Sequence, residues 1–238
     1  MSAYYLKMAR LLILFAALAL TACEAIVPAG ATRHETRTVA LDNSEMARLE
    51  LKMGAGELQV EGGSTNLLDA DLTYNVPSWK PILIDDTTGV RREIRLEQPS
   101  GSHAASGTVY KWNLRLNNDV LLDVVAHLGA GSARMTLGSV NLRSIEVHMG
   151  VGEMNLDLSG NPRRDYTVDL KGGVGQATVI LPASAGIVAT AHGGIGQISV
   201  KGLEKRGDRW INPAHEQAPV TIHVNVEGGV GQINIVAQ

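Results

Sequence analysis

Three histidines, one cysteine and six glycine triplets are the residues of this 238-residue chain whose types and spacing bear most directly on chemistry. His127, His148 and His192 each stand two residues before the first glycine of a Gly-x-Gly triplet, a place that Lys52, Lys171 and Glu227 hold in the other copies. Imidazoles at strand spacing bind zinc or copper, so His127 and His148, on neighbouring copies, are candidate metal ligands. Against that, Lys171 separates the third histidine from the pair and no carboxylate completes the set in that column, which favours a solvated polar ladder with no metal. Asp119, Asp123 and His127 can share one strand face and are the nearest approach to an acid–base set. They supply no nucleophile paired with a base, so the chain is expected not to be an enzyme, and no cofactor is expected. The triplets do not fit a phosphate loop, which needs a helix directly after its glycines. Nor do they fit the calcium repeat Gly-Gly-x-Gly-x-Asp: Ala177, Ile198 and Ile233 stand where the carboxylate is needed. Arg206-Gly207-Asp208 lies in a polar insertion and is read as a chance tripeptide.

The elements that position these residues follow from the triplets, whose successive first glycines are 75, 21, 23, 21 and 35 residues apart. A unit of 21 to 23 residues therefore recurs, in the range of solenoid repeats. Two and four residues after each second glycine the chain is always apolar, as in Met154 and Leu156 or Ile198 and Val200, with a polar residue between in every copy. The same alternation precedes the triplet, as in Ile145 and Val147. A period of two marks a strand with one buried face. Each unit is thus strand, glycine corner, strand and return turn, and the middle triplet residue (Ala55, Ala130, Val151, Val174, Ile195, Val230), always apolar, is expected to point inward. The expected fold is an all-β, single-domain β-solenoid or β-helix-like stack of parallel rungs over 46–238, with an irregular N-terminal β cap at 61–120 and a loop insertion at 203–219. About eight rungs would make a rod roughly 40 Å long. Gln176, Gln197 and Gln232, one residue past the second glycine, are expected to form an amide ladder.

Lys7 and Arg10 precede a wholly apolar stretch at 11–20, too short to cross a bilayer, and small residues follow: residues 1–22 have the plan of a secretory signal. Leu20-Thr21-Ala22-Cys23 resembles the lipobox of bacterial lipoproteins, which implies lipidation of Cys23, the chain's one cysteine, and a lipidated tether at 23–45. By the same resemblance Glu24 favours the outer membrane in a Gram-negative cell. Nucleic acid is excluded as a partner: 21 Lys+Arg against 24 Asp+Glu give a net charge of -3, without a basic run. Tyr74, Trp79 and Trp112 hold much of the aromatic content; cap packing is the favoured role, and a stacking surface for sugar rings the alternative.

GAGELQVEGG near the start, LTYNVPSWKP at 72–81, KWNLRLNNDVLLD at 111–123 and the serial GGVGQ motifs together resemble the toast-rack family of bacterial envelope proteins. Toast-rack domains look related to adhesin-type repeats and to the C-terminal domain of cell-wall-active antibiotic response proteins. The resemblance implies a β-solenoid-like fold and an envelope setting, and carries no catalytic motif. The expected function is that of a lipid-anchored, non-catalytic binding, adhesin-like or envelope-stress scaffold facing an envelope polymer or protein partner. A glycan-active β-helix enzyme and a self-assembling structural rod are the alternatives.

Overall fold

The computed structural model describes residues 26, 27, 29–88, 90–100, 103, 104 and 106–238. The signal segment and Cys23 lie outside the described residues. The strands are β1 (Ile26–Val27), β2 (Arg33–Val39), β3 (Met46–Ser64), β4 (Leu68–Tyr74), β5 (Ile82–Thr88), β6 (Arg91–Glu97), β7 (His103–Ala104), β8 (Tyr110–Asn117), β9 (Leu121–Thr136), β10 (Leu142–Asp157), β11 (Tyr166–Leu181), β12 (Gly186–Lys201), β13 (Glu204–Arg206), β14 (Arg209–Ile211) and β15 (Thr221–Ala237). The only helical element among the described residues is a 3-10 turn at Pro77–Trp79. No helix there is long and apolar enough to cross a membrane. Thirteen strands form one sheet, and β1 pairs with β7 apart from it.

Strands β3, β9, β10, β11, β12 and β15 carry the repeat and run 16 to 19 residues, because each continues through its glycine triplet as a bent strand of two arms. Parallel pairing holds register through both arms: Val147 faces Leu170, Val151 faces Val174 and Met154 faces Ala177 between β10 and β11. Only residues 137–141 link β9 to β10, so the far arm must fold back toward the start of the next rung. The two arms close on a single apolar core. Val124, Ala126 and Leu128 come from the first arm of β9, Ala133 and Met135 from the second, and all are buried. Each such large aliphatic side chain contributes about 1.5–3 kcal/mol on burial.

The middle triplet residue does not point inward. Val151, Val174, Val230 and Ile195 are 53%, 51%, 46% and 74% exposed, the reverse of the expectation from alternation. The reason is a change of parity. The last inward residue of the first arm (Met149) and the first of the second (Met154) are five positions apart, so strict alternation must fail once between them. It fails at the second glycine, whose φ is positive (144° at Gly152), and the residue before it is left outside the bend.

The stack also departs from sequence order, because β15 lies between β11 and β12, pairing with Tyr166–Leu181 on one side and Gly186–Lys201 on the other. The insertion after β12 makes this possible by giving the chain enough length to turn back and thread the gap. There are six continuous rungs and not eight: the 75-residue interval holds no further bent strand. Instead β6 pairs with the first arm of β3 and β8 with the second, a rung split in two. Gln98 closes its open corner by accepting hydrogen bonds from the Gly54 and Ala55 amides at 2.8 and 3.2 Å. Strands β4 and β2 then cover β8 in antiparallel pairing, so Arg33–Val39, expected in the tether, is an edge strand of the cap. At the far end the 203–219 insertion forms the hairpin β13–β14, and buried Asn212 accepts from the Ile187 amide (2.8 Å) while donating to Ala185 O (2.7 Å).

Because β15 is sandwiched, its loss unpairs β11 and β12 together and removes the buried Ile222, Val224, Val226, Ile233 and Ile235. At roughly 2 kcal/mol each this is about 10 kcal/mol, comparable to the whole stability of a typical domain. A chain ending at residue 219 is therefore expected to show no cooperative thermal transition by calorimetry, whereas a dispensable terminal strand would leave the transition in place.

Candidate binding surface

The outward side of the first arms presents two polar columns. In spatial order the one next to the corner is Lys52, His127, His148, Lys171, Glu227 and His192, so β15 moves the third histidine three rungs from the pair. His127 and His148 stack with centroids 5.0 Å apart and planes 16° from parallel. The second column, two residues upstream, places carboxylates beside the pair: Glu146 Oε1 lies 2.7 Å from His148 Nε2, and Glu50 Oε1 4.0 Å from His127 Nε2. These carboxylates were legible from the strand period and were missed by considering one column alone. Glu50 is also held by Arg95 at 2.5 Å and Lys52 at 3.1 Å. Face-to-face stacking does not aim the ring nitrogens at one point, and among the described residues no group of three or more His, Cys, Asp or Glu is arranged around a common centre. An open depression of about 950 Å³ runs beside the pair, with Gln98 and Lys171 on its rim.

The three residues weighed for catalysis do not converge. Asp123 is buried and ion-paired to Arg143, with Ser144 donating at 2.6 Å. Burial alone would raise its carboxyl, but the hydrogen bonds from Arg143 and Ser144 and the nearby guanidinium charges outweigh that and hold it below the usual range. Asp119 is exposed and pairs with Arg163 at 3.0 Å, and His127 is committed to its stack. Tyr74, Trp79 and Trp112 are 3%, 4% and 0% exposed. Tyr110 lies between the two tryptophans, its centroid 5.7 Å from each, so this cluster is the core of the cap and presents no stacking surface for sugar rings. The three glutamines are in register, with Gln232 in the middle, and its amide donates to Asn234 at 3.0 Å. Arg206-Gly207-Asp208 turns the β13–β14 hairpin. What the sequence did not single out is the corner ridge of Val151, Val174, Val230 and Ile195, a row of aliphatic side chains on successive rungs with no cover. Contiguous exposed apolar surface of this kind marks interaction sites.

Bent parallel rungs, glycine corners and a surface of ladders without a converged reactive set define a β-solenoid-like repeat protein. The chain belongs to the toast-rack family: residues 28–180 match the family described as the N-terminal domain of toast_rack, DUF2154. It is similar in structure to a "putative cell adhesion protein" from Clostridium sporogenes, with 32% identity, a TM-score of 0.84, and coverage of 87% of this chain and 100% of that one. A "putative adhesin" from Bacteroides fragilis (9% identity, TM-score 0.35, coverage 88% and 99%) and a "putative lipid binding protein" from Parabacteroides distasonis (10%, 0.32, 88% and 98%) also match, too distantly to bear on fold or function. No curated protein matches the sequence.

Burial, and then the charge of His148, push His127 below its ordinary value near 6.5. A base whose folded pKa is depressed favours the native state above its unfolded pKa, and that advantage is lost as pH falls through the folded value. The thermal midpoint is therefore expected to drop between pH 7 and pH 5, before the carboxylates titrate, and His127→Asn should flatten that drop. Identical profiles for the two proteins would show the stack to be electrostatically idle.

Proposed function

We propose that this protein is a lipid-anchored component of the cell envelope that binds an envelope polymer or protein without catalysis, as an adhesin or an envelope-stress scaffold does. The corner ridge carries the reading: four aliphatic side chains in a row, exposed on the convex edge, have no packing role and stand where an extended partner can reach several rungs at once. The polar columns beside it set Lys52 and Lys171 in one row and Glu50, Glu146 and Asp169 in the next, a separation of charge that fixes orientation. The likeness to a structure described as a cell adhesion protein supports the same reading.

Anchoring at Cys23 fits the topology. The chain enters the sheet through β2, the last strand at the cap end, so an anchor there holds the cap toward the membrane and carries the β12 end outward. Several acyl chains on one cysteine give stable attachment where one would be marginal, and Glu24 favours the outer membrane in a Gram-negative cell. Cys23→Ser is expected to move the protein from the membrane fraction to the soluble fraction. Replacing Val151, Val174, Val230 and Ile195 together by Ser is expected to leave the thermal midpoint in place and abolish binding of the purified protein to isolated cell envelopes. Envelope binding unchanged by the serine variant would contradict the proposal.

A further inference from the structure

The residue just before the first corner glycine points into the core, and its column divides the stack. On β3, β9 and β10 it is Met53, Leu128 and Met149, all buried. On β11, β15 and β12 it is Gly172, Gly228 and Gly193, facing Ala177, Ile233 and Ile198 of the second arm. The absent side chains leave a partly open cavity of about 90 Å³ at the bend, whose wall includes Val174, Val230 and Ile195 of the corner as well as the glycines. Met149 and Met154 of β10 close one end. The other end opens past β12, whose outer side is paired only at Val188 and Ala189, well away from the corner. The wall is most exposed at that end, where Ile198 is 39% exposed against 2% for Met154 at the closed end.

The backbone does not require these glycines. None of the three has a positive φ. A Cβ on Gly172 would meet nothing nearer than Glu227 O at 4.0 Å, and one on Gly193 would rest 3.5 Å from Ile198 Cδ1. By contrast, a Cβ on Gly173 or Gly175 would overlap the backbone of Gly150 or Gly152. Glycine at 172 and 193 therefore leaves out a side chain that the fold has room for, and gives up packing that a close-packed core would normally hold, whereas at 228 a Cβ would press on Ile233 Cδ1 at 3.0 Å. No residue lining the cavity is charged; the polar residues along it are Gln176, Gln232 and Gln197, beside the glycine backbone. In the equivalent space of the first rungs the aliphatic side chains of Met53, Leu128 and Met149 fill the column.

We propose that this slot binds one alkyl chain of the fatty acyl type, entering at β12 and ending against Met149 and Met154, with its carboxyl or ester head left at the mouth. An uncharged wall excludes an ionised group from the depth of the slot.

Calorimetric titration of the protein with dodecanoate below its micellar range is expected to show saturable one-site binding. Gly172→Met, which copies the filled rungs, should weaken it at least about tenfold while the thermal midpoint holds or rises. Gly193→Leu, near the mouth, should do the same and serves if Gly172→Met does not fold. Phosphatidylglycerol vesicles form the second arm. Cosedimentation that the filling variants abolish assigns the chain to bilayer lipid, and binding of dodecanoate without cosedimentation assigns it to a free fatty acid. The proposal is overturned if the wild-type protein binds neither probe, or if a folded filling variant binds as the wild type does. It is equally overturned if sedimentation velocity shows a wild-type dimer that the filling variants dissociate while dodecanoate does not bind, because the slot then holds a side chain of a second copy.

Discussion

Backbone contact between stacked corners is the constraint from which the rest of the structure follows. Parallel rungs repeat at about 4.8 Å, and where a strand bends sharply its neighbours above and below bend at the same place, so the corner has no space for side chains pointing along the stack. The first and second glycines of each triplet meet that condition in different ways. A Cβ on Gly150 would overlap the carbonyl of Gly129, and one on Gly152, already at positive φ, would overlap that of Gly131. Only glycine satisfies both, so the triplet fixes the position of the bend, its register with the next rung and the length of each arm. With the arms fixed, the inward columns meet in one core, and the outward columns become polar ladders on the surface.

The same bend creates the surface features that have no counterpart in a flat sheet. Changing parity at the corner throws one residue per rung to the outside, and because that residue is aliphatic in every copy the result is a ridge. On the inner side, the residue before the bend decides whether the corner is filled. Methionine and leucine fill it on β3, β9 and β10; glycine empties it on β11, β15 and β12. The cap end is sealed by Gln98, β8 and β4, whereas the corner of β12 has no strand over it, so ridge, slot and open edge gather at the end farthest from the chain's entry.

Much of this was legible in the residues. Period-two columns on both sides of the triplets identified the strands and their buried faces, and the parallel stack followed from the 21- to 23-residue interval. Met154 and Ala177 are neighbours as that pattern demands, and Ile198 shares their column with Ile233 inserted before it. The insertion was hidden because repeat similarity gives the set of rungs and not their order; a long connection after β12 permits either path. Parity was legible too, since five positions separate Met149 from Met154, yet extending the first arm's alternation through the bend put Val151 on the wrong side. The aromatic residues were ambiguous for a different reason: Trp112 alternates like any strand residue, and only the antiparallel cover of β4 decides that it is buried. The histidine face was half legible, its imidazoles found in one column and its carboxylates overlooked in the next.

The corner constraint is tested most directly by placing the same methyl group on two glycines of neighbouring rungs and measuring thermal and denaturant unfolding. Gly152→Ala sets a Cβ against the carbonyl of Gly131 at a backbone angle that alanine disfavours, and is expected to cost about 3 kcal/mol or more, or to prevent folding. Gly172→Ala sets it into open space and is expected to change stability by less than about 1 kcal/mol, in either direction. Equal effects at the two positions would contradict the account, because the corner glycines would then not be what holds the rungs together.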